Sequence, residues 1–454
     1  MGDLTETCDY QITENEYKSN FKIKQYLNSI SVIFAALKET INFIFQQMKI
    51  RLFLLFACAL VMTKSFGQSK EPSDYNGVIS TAVPFLTISP DARSGGMGDV
   101  GVATAPDAYS MFWNPAKYAF IDKTFGFGIG YVPWLRSLVN DIGLASVVGF
   151  GKIGDKQAIA ASLRFFSMGA VMFTDNDGHE LGEVKPNEWT IDATYSRKFS
   201  PEFSGAVAGR FIYSNLVPVD LANLSVRPGT SVAADVAIYY HHLLDVKGIS
   251  GASIDFGLDI SNIGVKMSYS STSIVRDFIP TTLRLGPSFS MDIDDYNRIS
   301  LSLDLSKLLV PTPPIYAKDS NNNIIIGTDG KKVIEKGMDP DVSVVKGMIQ
   351  SFYDAPYGFR EELQEINLSV AAEYWYNKLF SVRAGYFYES KYKGDRQFFT
   401  VGAGLRYNVF GLDFSYLVPI KSNNPLQHTL QFTLLFNFDN TKKATTEKET
   451  GGTN

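Results

Sequence analysis

The chain has 454 residues, carries a formal net charge of −5 and is rich in Phe, Tyr and Gly. Its Lys and Arg residues are scattered rather than gathered in a basic block, which excludes the usual electrostatic footprint of a nucleic-acid partner. The aromatic and glycine content instead favours many β-strands.

Residues 48–67 carry the pattern of a secretory signal peptide. A basic start is followed by an apolar run over 52–62 and by a small-x-small cleavage site before Gln68. The apolar run is too short to span a bilayer core of ~30 Å as a helix. The sequence therefore predicts an exported protein that begins near Gln68, with residues 1–47 coming from an over-extended start.

Two alternatives to this interpretation of the N-terminus stay open. Residues 1–47 could be a genuine cytoplasmic extension before a signal anchor, and Cys58 could be the lipidated cysteine of a lipoprotein signal. If cleavage follows Gly67, the mature chain has no cysteine, which excludes both disulfides and thiol catalysis.

Alternation of apolar and polar residues with a period of two recurs between residues 125 and 438. Within 252–261, for example, Ile254, Phe256 and Leu258 alternate with polar or small residues. This period is that of strands with two different faces. Fourteen segments are predicted as strands, namely 125–131, 142–150, 157–166, 189–198, 204–213, 232–240, 252–261, 281–290, 298–306, 366–376, 380–389, 398–407, 410–418 and 428–438.

The connections between these strands alternate in length. Four are long (167–188, 214–231, 262–280 and 307–365), and those that alternate with them are short (151–156, 199–203 and 377–379). Strict alternation would also suit a soluble sandwich, but the strand lengths, the aromatic residues near strand ends and the even strand count favour a membrane barrel. We expect an all-β fold, a 14-stranded transmembrane outer-membrane β-barrel over 121–438, with both chain ends periplasmic and a polar tail over 439–454.

The stretch from Ser94 to Ala119 contains Gly96, Gly98 and Gly101 in the spacing of a dinucleotide-binding loop. That motif needs a strand before it and a helix after it, and prolines interrupt both. Glycine also permits close approach between backbones, so we expect 68–120 to be an N-terminal periplasmic or lumenal plug, or hatch, in which Asn114 and Pro115 make the turn into the first strand. The candidate plug residues are Gly95, Gly96, Gly98, Gly101, Trp113, Asn114 and Pro115.

Residue patterns that carry catalysis or metal binding are weak in this sequence. The adjacent pair His241 and His242 lacks the spacing of a zinc site on a helix, and no nucleophile motif such as G-x-S-x-G is present. Five carboxylates suit a polar lumen lining better than a reaction, namely Asp192, Asp235, Asp255, Asp259 and Asp304. We therefore expect no catalytic residues, no cofactor and no metal.

The connection 307–365 is long enough to indicate a function. Its prolines favour an extended start, and apolar residues recur at helical spacing after Asp341, a predicted N-cap. An amphipathic helix outside the membrane folds either over the barrel's own mouth or against a partner protein. The candidate partner-binding and cargo-binding residues are Pro311, Pro313, Pro314, Tyr316, Val342, Val345, Ile349, Phe352 and Tyr353.

Two stretches resemble a known group of proteins. The run from Asp91 to Ala119, with Gly-Met-Gly, an Asp-Ala pair and Trp-Asn-Pro-Ala, resembles the N-terminal hatch of FadL-type fourteen-stranded outer-membrane proteins. Within that superfamily, 286–289 and the Leu-Val-Pro-Thr-Pro-Pro end of 303–314 resemble the PorV (LptO) family. The resemblance covers residues 75–438.

This resemblance implies a non-enzymatic outer-membrane component of the Bacteroidetes type IX secretion system. The implied partners are the C-terminal signal domain of secreted cargo, an SprA-type translocon barrel, a PorU-type sortase with other attachment-complex proteins, and outer-membrane lipid or lipopolysaccharide. Cargo would be bound at the translocon and carried to the attachment complex. The alternative implied by the superfamily is a FadL-like transporter of hydrophobic small molecules.

Overall fold

The structure is a computed structural model that describes residues 77–439, apart from 137–138, 140, 175–176, 178, 217–226, 247–248, 271–275 and 422–423. The described residues belong to the second of the two units into which the chain divides, Ser73–Asn454. The predicted over-extended start, the signal peptide and the polar tail after residue 439 lie outside the described residues.

Fourteen of the described strands close into an antiparallel barrel. In order around its wall they are β1, β18, β17, β16, β15, β14, β11, β10, β9, β8, β7, β6, β3 and β2, while β4 pairs with β5 and β12 with β13 in separate two-stranded sheets. The bounds are β1 Phe125–Pro133, β2 Ile142–Ile153, β3 Gln157–Met168, β4 Val171–Thr174, β5 Glu180–Val184, β6 Asn187–Lys198, β7 Phe203–Asn215, β8 Gly229–Val246, β9 Ile249–Gly264, β10 Thr282–Asp292, β11 Asn297–Leu308, β12 Ile315–Tyr316, β13 Ile334–Lys336, β14 Asn367–Tyr376, β15 Phe380–Tyr388, β16 Gln397–Tyr407, β17 Phe410–Pro419 and β18 Leu430–Phe438.

The barrel closes where the first and last strands pair. Phe125 of β1 lies opposite Phe438 of β18, and their rings stack with centroids 4.7 Å apart. All fourteen predicted strands are confirmed as barrel strands. The prediction was wrong on the lengths of β8 and β9, which have 18 and 16 residues. Their hairpin continues past the predicted ends because His241 and His242 still pair with β9, although they interrupt the apolar alternation.

The barrel wall is apolar outside and polar inside. Along β3, Ile159 and Leu163 are exposed on the outer face, whereas Ser162 and Arg164 are buried on the inner face. This arrangement is that of a barrel surrounded by lipid. The described part of the chain contains no helix with the length and apolar character needed to cross a bilayer.

Besides the strands, the described residues form three short α-helices: α1 Ala92–Gly95, α2 Val344–Gln350 and α3 Phe359–Gln364. The N-cap of α2 is Ser343, so the predicted cap at Asp341 is wrong. Asn114 caps a 3₁₀ helix, Pro115–Phe120, by accepting a hydrogen bond from the Ala116 amide at 3.0 Å. The turn predicted to lead directly into the first strand therefore begins a helical turn.

Candidate functional site

Residues 77–121, which we call the lumen segment, pack against the inner wall of the barrel. Most of them are buried. The Ala92 amide donates to the hydroxyl of Thr433 on β18 at 2.9 Å, and the Gly98 amide donates to Thr400 on β16 at 2.8 Å. Hydrogen bonds thus attach this segment directly to inward-facing side chains of the wall. Its role as a plug stays a prediction.

The lumen segment runs along the barrel from one end to the other. Long connections gather at one end, which is extracellular in outer-membrane barrels. At that end Lys393, between β15 and β16, donates to the Gly77 carbonyl at 3.2 Å. Near the opposite end, Ser204 at the start of β7 donates to the Ala116 carbonyl at 2.8 Å. Gly77, the first described residue, therefore lies at the extracellular end of the lumen, and the expected periplasmic start of the chain lies outside the described residues.

A chain of buried charges joins the lumen segment to the wall. Arg93 of α1 donates through two nitrogens to Glu373 of β14, at 3.0 and 2.8 Å. Glu373 also accepts from Arg383 of β15 at 2.7 Å. Arg383 donates to Asp413 of β17 at 2.8 Å. Asp413 also accepts a hydrogen bond from Arg406 of β16 at 2.7 Å. Each charge is paired, as burial in a low-dielectric interior requires.

Asp304 holds the middle of the lumen segment. Its Oδ2 accepts hydrogen bonds from the amides of Gly101 at 2.7 Å and Val102 at 2.9 Å. The Asn114 side-chain amide bridges the Val102 carbonyl and the Ile238 carbonyl of β8, both at 2.9 Å. These contacts fix the backbone path between α1 and the first strand.

Gly98 and Gly101 are two positions of the lumen segment at which a side chain does not fit. Gly98 has a φ of +65°, and a Cβ there would come within 2.8 Å of the Tyr386 backbone nitrogen on β15. A Cβ at Gly101 would come within 2.4 Å of the Trp113 ring. Both positions need glycine, the first for its conformation and for close backbone approach.

The carboxylates predicted to line the lumen are all buried: Asp192, Asp235, Asp255, Asp259 and Asp304. Arg210 of β7 donates to both Asp192 and Asp235, and His241 Nδ1 lies 2.5 Å from Asp255. Across the described residues, no group of three or more His, Cys, Asp or Glu side chains is arranged to hold a metal ion. Asp192, Asp235 and Asp259 form ion pairs with arginines. Asp304 instead accepts from backbone amides of the lumen segment.

Residues 309–366, which we call the long loop, are anchored by buried charges. Lys307, at the end of β11, donates to Glu362 at 3.1 Å and to Glu365. Lys393 donates to Glu361 and, at 2.9 Å, to Glu365. Two lysines of the barrel end thus hold three carboxylates from α3 and its C-cap.

Asp354 adds a further carboxylate to this anchor. Its Oδ2 accepts from the Thr312 amide at 3.1 Å, so it joins the two ends of the long loop. Burial, reinforced by the nearby Glu362 and Glu365 carboxylates, raises the pKa of Asp354 to about 6. Burial also raises the pKa of Glu362. The anchor thus brings four carboxylates, those of Asp354, Glu361, Glu362 and Glu365, close to two lysines.

The acidic residues of the anchor point toward the barrel, and the large apolar residues of the same part of the long loop are exposed to solvent. Five large side chains, each between 50% and 61% exposed, form what we call the outer face of the long loop: Ile349, Phe352, Tyr353, Phe359 and Leu363. Phe359 and Leu363 are one helical turn apart on α3. These exposed apolar side chains make the outer face a candidate interaction surface.

The candidate loop residues occupy three different environments. Pro311 and Pro314 are buried, and Pro313 and Tyr316 are half-buried. Val342 and Val345 line a groove against β8 and β9. Only Ile349, Phe352 and Tyr353 of this set lie on the outer face. The structure thus separates residues that the sequence pattern grouped into one surface.

Sequence reasoning missed the residues that organise both regions. Arg93 and Glu373 were absent from the candidates, as were the three glutamates of the α3 anchor. One signal was present: charged residues such as Arg383 and Asp413 lie at inward positions of strands with a period of two. Opposite charges at inward positions indicate a paired lumen, but not which residues pair.

A closed fourteen-stranded barrel with an apolar outer surface and a charged interior is an integral protein of the bacterial outer membrane. The model of a family described as "Type IX secretion system protein PorV" matches residues 71–315 of the chain. The chain belongs to this PorV family, whose members are components of type IX secretion.

No curated protein sequence matches the chain. Similar solved structures include the Ralstonia pickettii toluene transporter TbuX, with 11% identity over 77% of this chain and 98% of that one at a TM-score of 0.40. The Pseudomonas putida toluene transporter TodX has 10% identity over 75% and 95%, at 0.42. A Pseudomonas aeruginosa FadL homologue has 12% identity over 80% and 100%, at 0.38.

Proposed function

We propose that the protein binds the C-terminal signal domain of secreted cargo at an SprA-type translocon barrel and carries it to a surface attachment complex that contains a PorU-type sortase. Membership of the PorV family supports a role in type IX secretion. The observation that carries the finer proposal is the outer face of the long loop, because it is an apolar surface at the extracellular end of the barrel.

The anchor explains how this surface stays exposed. An amphipathic helix on a protein surface usually packs its apolar side against the core. In α3, Lys307 and Lys393 instead hold the acidic side against the barrel, which leaves Phe359 and Leu363 exposed. Breaking such buried pairs costs about 3–5 kcal/mol. The apolar side is thereby kept available for a protein partner, and burying aromatic side chains there supplies the binding free energy.

The proposal is tested by a triple substitution on the outer face, Ile349→Ser, Phe352→Ser and Tyr353→Ser. The matched control is Ile324→Ser, Ile325→Ser and Ile326→Ser, three exposed apolar residues elsewhere on the same loop. We expect the first variant to weaken binding of a purified cargo C-terminal domain about tenfold or more, because aromatic side chains at interfaces contribute over 1 kcal/mol each. Secretion should fail in cells, while the control should secrete normally.

The alternative function is transport of hydrophobic small molecules. Measuring the uptake of an apolar compound by the same strains distinguishes it from cargo binding. The lumen cavity of about 300 Å³ is lined by charged groups that include Arg284, Glu389 and Arg396, and an apolar compound would have to pass these desolvated charges. Uptake of a labelled apolar compound should therefore be the same in all three strains. Intact cargo export with altered uptake would favour the transporter.

A further inference from the structure

A groove of about 820 Å³ lies on the outside of the barrel, where β8 and β9 meet the residues that lead into α2. Its walls are largely apolar, with contributions from Val232, Ile263, Val265, Val344 and Val345. Val345 is 65% exposed and Val232 is 55% exposed. The groove is therefore an open apolar slot between the barrel wall and the long loop.

The groove lies at the extracellular edge of the lipid-facing surface. Val232 is the first of the outward-facing apolar residues of β8, which continue through Val236 and Ile238 to Tyr240. At about 3.3 Å per residue and a tilt of about 40°, the distance from Val232 to Tyr240 is about 20 Å along the membrane normal. This covers most of the ~25 Å apolar band of outer-membrane barrels, so Val232 lies near its outer limit.

Cationic side chains lie at the same edge. The Lys266 ammonium sits 4.2 Å from the centroid of the Phe278 ring, and its side chain is only 14% exposed. Arg276 lines the groove and is exposed. The one acidic residue among the described lining residues is Asp341, which lies 3.5 Å from Lys266 with a side chain that is 85% exposed. Solvent screens the exposed Asp341 carboxylate in this pair, and the two cations outnumber this one carboxylate, so the edge of the groove favours an anion.

We propose that the groove binds an anionic lipid of the outer leaflet, with one acyl chain against Val232, Val265 and Val345 and its phosphate on Lys266 and Arg276. An apolar slot continuous with the lipid-facing wall fits an acyl chain. Two cations at the depth of the headgroups fit a phosphate, which guanidinium binds through paired hydrogen bonds. This site does not depend on the proposed cargo binding, because it uses the barrel side of the loop rather than its outer face.

The test is native mass spectrometry of the full-length barrel, purified in detergent and mixed with phosphatidylglycerol or with phosphatidylcholine of the same acyl chains. We expect the unmodified protein to retain phosphatidylglycerol preferentially. The double variant Lys266→Gln/Arg276→Gln should lose this preference, with about tenfold less bound phosphatidylglycerol. The matched control is Lys318→Gln/Lys331→Gln, which removes two exposed charges elsewhere on the long loop.

A second variant tests the acyl slot independently of charge. Ala234→Phe places a ring in the groove lining and should reduce binding of both lipids. Equal retention of the two lipids by the unmodified protein would overturn the proposal, as would full phosphatidylglycerol binding in both groove variants. A photo-crosslinker at Val265 that captures a protein instead of lipid in native membranes would also overturn it.

Discussion

The lumen segment and the long loop use buried charge in opposite ways. In the lumen, Arg93 and Glu373 join two surfaces that are both hidden, so the pairing specifies one arrangement of the segment within the wall. In the long loop, Lys307 and Lys393 hold the acidic side of α3 and leave its apolar side exposed. The same interaction completes an interior in one region and presents a surface in the other.

The largest effect is expected from the lumen. Glu373→Ala leaves the guanidinium groups of Arg93 and Arg383 buried without their shared partner, and we expect a loss of about 3–5 kcal/mol in the free energy of unfolding. Urea-dependent loss of heat-modifiable mobility in detergent would measure it. Glu183→Gln removes half of an exposed pair with Lys185 and should cost no more than about 1 kcal/mol. Equal effects would mean that the lumen pairing does not specify the packing.

A second substitution addresses backbone packing in the lumen. Gly98→Val forces a β-branched residue to a φ of +65° and into the backbone of Tyr386, so we expect about 1–3 kcal/mol of destabilisation. Gly209→Val is the control, because a Cβ at that position meets no atom within 4 Å. The same unfolding assay distinguishes the two, and a normal barrel yield with unchanged stability in Gly98→Val would argue against close packing.

The smallest effect concerns pH and the long loop. The pKa of Asp354 is raised to about 6 from 3.8, so protonation favours the anchored loop, and its stability should rise as the pH falls through about 6. Hydrogen exchange of 309–366, corrected for the intrinsic pH dependence, should slow by a few fold between about pH 7.5 and about pH 5. Asp354→Asn should remove most of this change. Faster exchange in acid would show that protonation loosens the anchor.

The barrel was predictable because its signal is local. Alternation within each strand, such as Ile254 to Leu258, and the alternating connection lengths specify fourteen strands without any knowledge of pairing. The contact between Arg93 and Glu373 joins residues 280 positions apart. It depends on the register of the whole barrel and on the path of the lumen segment, which no local pattern contains.

The outer face of the long loop was only partly predictable for a related reason. Helical spacing indicated an apolar side that includes Ile349 and Phe352, but the direction of that side depends on Lys393, which lies after β15. A pattern shows that a helix has two sides. It does not show which side the rest of the molecule holds.

The central claim is that the outer face of the long loop, and not the lumen, contacts secreted proteins. Site-specific photo-crosslinking in cells tests it directly, with a photoreactive residue at Tyr353 or Phe359 on the outer face and at Thr87, which lines the lumen cavity. We predict adducts with cargo or with the translocon from both loop positions and only intramolecular products from Thr87. Cargo adducts from Thr87, together with none from the loop in cells that still secrete, would contradict the account.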